Sequence, residues 1–171
     1  MLFRRAIVVV VLLGLLPAGA AFAQKQMVVS SNVGALVDDG IALAKSADLT
    51  FGTIVPSAAA GTVTVSTTDV RTAGGGVSLY PSTAAAAVFS VTKLGPGSKK
   101  FTVLLPVSAT LVNSSDASKT ITLDTLTHNA ATTNPYSAVP YTLRVGGTLQ
   151  IGANQAPGNY NGVFNVTVVQ N

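Results

Sequence analysis

Few residues in this 171-residue chain can carry acid–base, nucleophilic or metal chemistry: one histidine, six acidic residues, all of them aspartate, and no cysteine. Nucleophilic catalysis needs a base beside a serine or threonine. His128, in Leu126-Thr127-His128-Asn129, is the single histidine, with Asp124 or Asp116 as conceivable partners and no Gly-x-Ser-x-Gly elbow. It reads as a loop histidine. Paired carboxylates for glycoside chemistry would have to come from the aspartates, yet Asp38 and Asp39 are neighbours whose side chains diverge in an extended chain, and they read as a turn. Zinc and iron sites draw on histidine, cysteine and carboxylate sets that this composition does not supply. Calcium could use Asp38, Asp39 or Asp69 with backbone carbonyls, but no Asp-x-Asp-x-Asp loop is present. Gly74-Gly75-Gly76 is not followed by Lys-Ser/Thr, so it reads as a hairpin tip and not a phosphate cradle. The expectation is a protein that is not an enzyme, with no catalytic, cofactor or metal residues.

Three other patterns bear on binding. Asn113-Ser114-Ser115 and Asn165-Val166-Thr167 match the glycosylation sequon, read here as accidental. Tyr80, Tyr136, Tyr141 and Tyr160 could stack on sugars but fit packing at strand ends better. No Lys/Arg cluster exceeds the pair Lys99-Lys100, which excludes an electrostatic footprint for nucleic acid.

The N-terminus reads as an export signal. Arg4 and Arg5 precede an apolar run from Ala6 to Leu16, and Ala21-Phe22-Ala23 presents small residues for cleavage before Gln24. The run is too short to span a bilayer, which needs about 20 residues. Cleavage after residue 23 leaves 148 of 171 residues, with eight Lys/Arg (ten less two) against six Asp, a net charge of +2 instead of +4. An exported chain without cysteine takes its stability from core burial, strand pairing or association. Localisation is expected in the periplasm, at the cell surface or outside the cell.

The remaining elements must be strands. Glutamate is absent, lysine and arginine are scarce, and threonine, serine, valine, alanine and glycine dominate, which suits sheets and not exposed helix faces. Alternating runs recur between turn signals: Leu49–Val55 stopping at Pro56, Thr62–Ser66, Val77–Tyr80, Val88–Thr92, Lys100–Leu105, Thr110–Val112, Thr120–Leu123, Tyr141–Val145, Thr148–Ile151 and Tyr160–Val169. Ser57–Gly61 reads as a flexible connection, Gly95-Pro96-Gly97 as the turn of a hairpin joining Val88–Thr92 to Lys100–Leu105, and His128–Pro140 as a long irregular connection. Lys25–Ala47 is the least decided segment, as two short strands or an interrupted extended arm, with a short helix at Ile41–Lys45 also open. Residues 1–23 are thus the signal, 24–47 an arm or first strands, and 48–171 an all-β sandwich domain of nine or ten short, mainly antiparallel strands. Inward positions follow from parity: Phe101, Val103 and Leu105 opposite Thr102 and Leu104, and Tyr160, Phe164, Val166 and Val168 together.

Asp48-Leu49-Thr50-Phe51-Gly52-Thr53-Ile54-Val55-Pro56, Ala60-Gly61-Thr62-Val63-Thr64-Val65, Val145-Gly146-Gly147-Thr148-Leu149, Pro157-Gly158-Asn159-Tyr160-Asn161-Gly162 and Val166-Thr167-Val168 occur in this order. The series resembles the bacterial family called domain of unknown function 4402, over about Asp48 to Val169. The resemblance implies a secreted sandwich of immunoglobulin-like type and carries no activity with it. More distantly the chain is similar to spore-coat-type and fimbrial subunits, which commonly end in a Gly-x-Tyr element and alternating valines. It departs from many of them in lacking a cysteine pair and a tyrosine next to the C-terminus.

The functional expectation is an exported structural protein, a pilus- or fimbria-like subunit assembling through strand exchange with like subunits or a periplasmic chaperone and usher. Val33, Ala35 and Val37 alternate on the arm and are its candidate donor residues, by β-augmentation; the arm read as the domain's own first strand is equally open. The alternative is a self-contained adhesin or ligand-binding module using loops Ser66–Gly76 and His128–Pro140.

Overall fold

The computed structural model describes residues 40–95, 100–131, 134–135 and 140–171. The cleavage residues Ala21, Ala23 and Gln24, the donor candidates Val33, Ala35 and Val37, and Asp38 and Asp39 lie outside them. Among the described residues there are eleven strands and no helix. They are β1 (Ile41–Ala47), β2 (Ile54–Val65), β3 (Arg71–Leu79), β4 (Ala87–Lys93), β5 (Lys100–Leu104), β6 (Ser108–Asn113), β7 (Thr120–His128), β8 (Asn134–Pro135), β9 (Tyr141–Ile151), β10 (Tyr160–Asn161) and β11 (Thr167–Gln170). All pairings are antiparallel. Eight strands form one curled sheet and β11-β5-β8 a second, a sandwich-like fold as expected. Ile41–Lys45 belongs to β1 and not to a helix.

β9 is the spine of the large sheet. Its first half, Tyr141–Val145, pairs with β4, and its second half, Gly147–Ile151, pairs with β2 along the same edge. The opposite edge pairs with β7, which bulges between Asp124 and Thr127. One edge thus serves two strands in succession, and they fork at Gly146. A Cβ there would lie 2.3 Å from the Val65 carbonyl oxygen and 2.9 Å from the Ser66 carbonyl carbon, so only glycine lets the backbones meet. The sequence suggested two strands broken at Gly146-Gly147; β9 runs through both, because missing side chains here admit a neighbour and do not make a turn.

The outer face of the fork is closed by charge. Arg144 Nε donates to the Thr67 carbonyl at 2.5 Å, and its guanidinium pairs with Asp69, whose carboxylate also accepts the Ala86 N–H at 2.8 Å. The Asp69 carboxyl sits below its ordinary value of 3.8, first through the Ala86 N–H and also through Arg144, with partial burial opposing. Ser66 Oγ accepts from Thr68 N and Val70 N and so holds the β2–β3 turn against this cluster.

The β2–β3 hairpin corrects two expectations. Gly74–Gly76 is not a tip but lies within β3, and Ser57–Gly61 falls inside β2, where Ser57–Ala60 have no ladder partner across the register shift between Pro56 and Gly61. Arg71 and Tyr80 bracket β3, which would span about 30 Å if straight, yet Arg71 Nη2 donates to the Tyr80 carbonyl at 2.8 Å. The hairpin therefore bends back on itself at the glycines. Gly75 has φ +70°, and a Cβ on Gly76 would fall 2.2 Å from the Ala59 carbonyl oxygen. Arg71 Nη1 also donates to the Phe51 carbonyl at 2.9 Å and to Ser82 Oγ at 3.2 Å, stitching the legs of the bend together.

The expected hairpin of Val88–Thr92 with Lys100–Leu105 does not form. Both edges of β4 are taken, by β1 and β9, so β5 crosses to the small sheet and pairs with β11 and β8. β7 is also longer than expected, and β8 interrupts the stretch read as irregular. Parity held better: Phe101 and Val103 are buried, Leu104 is exposed, and Tyr160, Phe164, Val166 and Val168 are all partly buried. The core has two clusters. One centres on Val63, Val65, Ile121, Leu123 and Leu149, the other on Phe89, Val91, Phe101, Leu143 and Val145; Leu49, Leu126 and Phe164 pack against both.

Gly146→Ala is expected to lower unfolding free energy by about 1–3 kcal/mol in urea titration, as overpacking does. Gly152→Ala, whose added Cβ meets only the Gln155 side chain at 3.1 Å, should stay within about 0.5 kcal/mol of wild type. For Asp69, a lowered folded pKa means stability that is present above the unfolded value and lost as pH falls through it. Between about pH 5 and 2 the melting temperature of wild type should therefore drop further than that of Asp69→Asn; parallel curves would show that the fork carries no proton linkage.

Candidate functional site

Among the described residues those capable of chemistry are scattered, and the aspartates are engaged with other partners. The Asp124 carboxylate accepts from Gln150 Nε2 at 3.1 Å and the Asp116 carboxylate from Ser118 Oγ at 2.7 Å, and His128 bonds to neither. The Ser118 hydroxyl, then the Ser118 N–H, hold the Asp116 carboxyl below its ordinary range. His128 lies on β7 and not in a loop, and its Nδ1 is buried without a hydrogen-bond partner. Among the described residues no three His, Cys, Asp or Glu side chains converge. Asp69, considered for calcium, is committed to Ala86 and Arg144.

The other binding candidates separate clearly. Asn113 of the first sequon is 4% exposed and bonded at both ends of its amide, to the Pro157 carbonyl at 3.0 Å and from the Ser115 N–H at 2.8 Å. Asn165 of the second is exposed. Tyr141 packs edge-on against Phe101 with ring centroids 5.5 Å apart, Tyr160 is half-buried, Tyr80 is exposed, and Tyr136 lies outside the described residues.

What the fold does assemble is a groove. The large sheet curls from β1 round to β10, and among the described residues no ladder joins these two edges. Two adjoining clefts of about 450 and 850 Å³ occupy the seam and share Leu49, Thr50, Phe51, Leu111, Tyr160 and Asn161. One bank is the segment Leu49–Ile54, which follows β1. The other is Asn159–Phe164, which carries β10. Phe51, Phe89, Leu111 and Leu123 floor one end, and Ile121, Leu149 and Ile151 the other. Among the described lining residues only Lys45 and Asp48 are charged, and they pair with each other at 2.5 Å.

Each bank is held from behind. Thr50 exchanges backbone bonds of 2.8 and 2.9 Å with Ala85, and Arg71 fastens the Phe51 carbonyl. Tyr160 Oη donates to the Ala156 carbonyl at 2.7 Å and accepts from Gln155 Nε2 at 2.9 Å. Ser114 N donates to the Asn159 carbonyl at 2.8 Å, and Asn161 Nδ2 to Ser114 Oγ at 2.9 Å. Pro157–Asn161 is thus a clamp on β6 and on the loop that follows it. Asp48, Leu49 and the stretch Gly162–Val166 make no backbone hydrogen bond to other described residues. Sequence reasoning missed this groove, since its banks lie about a hundred residues apart; the motifs Asp48–Pro56 and Pro157–Gly162 were the available signal.

A family model described as a domain of unknown function (DUF4402) matches residues 41–169, from the first residue of β1 to within one residue of the end of β11. No curated protein matches the chain.

Asn113→Ala should cost about 1–3 kcal/mol in chemical denaturation, because it removes a buried amide bonded to the Pro157 carbonyl and the Ser115 N–H and frees the clamp. Ser118→Ala, at an exposed turn, should cost less than about 1 kcal/mol in the same titration.

Proposed function

The chain belongs to the DUF4402 family, and we propose that it is an exported structural protein of the cell surface, a fimbria-like subunit that joins like subunits by strand addition. The observation that carries this proposal is the open seam: a curled sheet with a floor of core residues, beside which Gly162–Val166 make no backbone hydrogen bond to other described residues. Unpaired strand edges over apolar surface are templates for another chain, and β-augmentation satisfies them with main-chain bonds while alternate side chains fill pockets. The sparse charge of the chain, 9% of residues, favours a protein that spends its surface on neighbours. The arm Gln24–Val37, with Val33, Ala35 and Val37, is the proposed donor, and a periplasmic chaperone and usher would shield the seam before assembly.

A self-contained adhesin reading ligands through Ser66–Gly76 draws less support. That segment is a tight turn followed by a paired strand, fastened by Ser66, Asp69 and Arg71.

Two forms of the protein test the proposal, one beginning at Gln24 and one at Gly40, which keeps every described strand. The longer form should sediment as heat-resistant multimers and the shorter as a monomer with a similar melting temperature. If both are monomers of equal stability, assembly through the arm is excluded.

A further inference from the structure

We infer that Asn161 is a site of spontaneous self-modification, in which the backbone nitrogen of Gly162 closes on the Asn161 side chain and the resulting imide opens to aspartate or isoaspartate, and that Ser114 restrains the reaction by holding the Asn161 amide. This chemistry is independent of the assembly proposed above.

The Gly162 nitrogen gives its proton to hydroxide and bonds to Asn161 Cγ. The Cγ–Nδ2 bond breaks, and Nδ2 takes a proton from water and leaves as ammonia. Water then opens the ring. Cleavage at Cγ yields aspartate. Cleavage at the backbone carbonyl of residue 161 yields isoaspartate, whose main chain runs through Cβ and Cγ and is longer by a methylene. Nothing is oxidised or reduced, and water is the only co-reactant.

Three observations select this position. The first is that the fold imposes the reactive pair. Asn161-Gly162 is the only Asn-Gly step in the chain. A Cβ at position 162 would lie 2.5 Å from the Thr110 carbonyl oxygen and 3.1 Å from Leu111 Cα. The close approach to β6 therefore demands glycine, which leaves the attacking nitrogen unscreened by a side chain. The second is access. Asn161 and Gly162 are both exposed, and Gly162 makes no backbone hydrogen bond to other described residues. The third is the restraint. Asn161 Nδ2 donates to Ser114 Oγ at 2.9 Å, and that hydroxyl donates to the Asn159 carbonyl at 3.0 Å. The amide is thus tethered to a side chain that is itself fixed, and the ring closes when the tether opens. β10 is two residues long and pairs with β6 through Tyr160 and Asn161 alone, and a segment this short opens without global unfolding.

Other asparagines lack one of these features. Asn113 is buried with its amide bonded at both ends, and the Asn129 amide bonds the Thr142 carbonyl and the Arg144 N–H. The N–H after Asn154 is bonded to the Gly152 carbonyl. Asn165 is exposed but precedes Val166, whose branched side chain screens the nitrogen. Either product at position 161 replaces a neutral amide with a carboxylate, and isoaspartate also shifts Gly162 against Thr110, which loosens the clamp on β6.

The protein is kept folded in mildly alkaline buffer and sampled over days. Chymotrypsin, cutting after Tyr160 and Phe164, separates Asn161 from Asn154 and Asn165, and mass and chromatography then report deamidation and isoaspartate at each. Asn161 should convert first, with isoaspartate among its products. Ser114→Ala deletes one hydrogen bond and should speed conversion about fivefold. Ser114→Thr keeps the hydroxyl and should stay near the wild-type rate. Conversion at Asn161 no faster than at Asn165, or conversion only after unfolding in urea, overturns the inference. So does an unchanged rate in Ser114→Ala, or equal acceleration by Ser114→Ala and Ser114→Thr, since either result removes the hydroxyl from its restraining role.

Discussion

The fork at Gly146 is the constraint on which the remaining architecture depends. β9 lends one edge first to β4 and then to β2, while its other edge is held by β7. Two consequences follow from that shared strand. The sheet must curl, because β2 and β4 leave β9 in different directions, and the core divides into two clusters beneath the two halves. The curl in turn brings β1 and β10 toward each other without closing the ladder. The groove is a by-product of how β9 distributes its hydrogen bonds.

Polar groups at the fork stabilise a geometry that apolar packing alone does not define. Arg144 points away from the core, since Leu143 and Val145 on either side of it are fully buried, and so it reaches the turn that β2 makes as it departs. Asp69 answers it and also takes the amide of Ala86, one residue before β4 begins. A single ion pair thus sets the angle between two strands and a third.

Much of the fold was legible because period-two alternation survives wherever one face of a strand is buried. Phe101, Val103 and Leu104, and the set Tyr160, Phe164, Val166 and Val168, sorted to the expected sides for that reason. Pairing was not legible. The Gly-Pro-Gly signal between β4 and β5 marked a change of direction, but whether two strands then pair depends on whether their edges are free, and β9 had already taken one of them. The glycines misled for a related reason: in Gly74–Gly76 and Gly146-Gly147 the absent side chain serves an approaching backbone, which a single sequence does not reveal. Of the groove, only its pieces were visible. Leu49–Ile54 and Pro157–Gly162 stood out as motifs, yet that they face one another follows from the curl of the sheet and from no local pattern.

Arg71 gives the molecule a second fastening of a different kind. Its partners at the bend are the carbonyl oxygens of Phe51 and Tyr80 and the hydroxyl of Ser82. Carbonyl oxygens do not titrate in water, and among the described residues Arg71 has no ion-pair partner for dissolved ions to screen. The fork, held by a carboxylate and a guanidinium, has both vulnerabilities. The two closures thus answer to different solvents. Acid and salt weaken the fork's ion pair, whereas agents that compete for peptide carbonyls act on the bend.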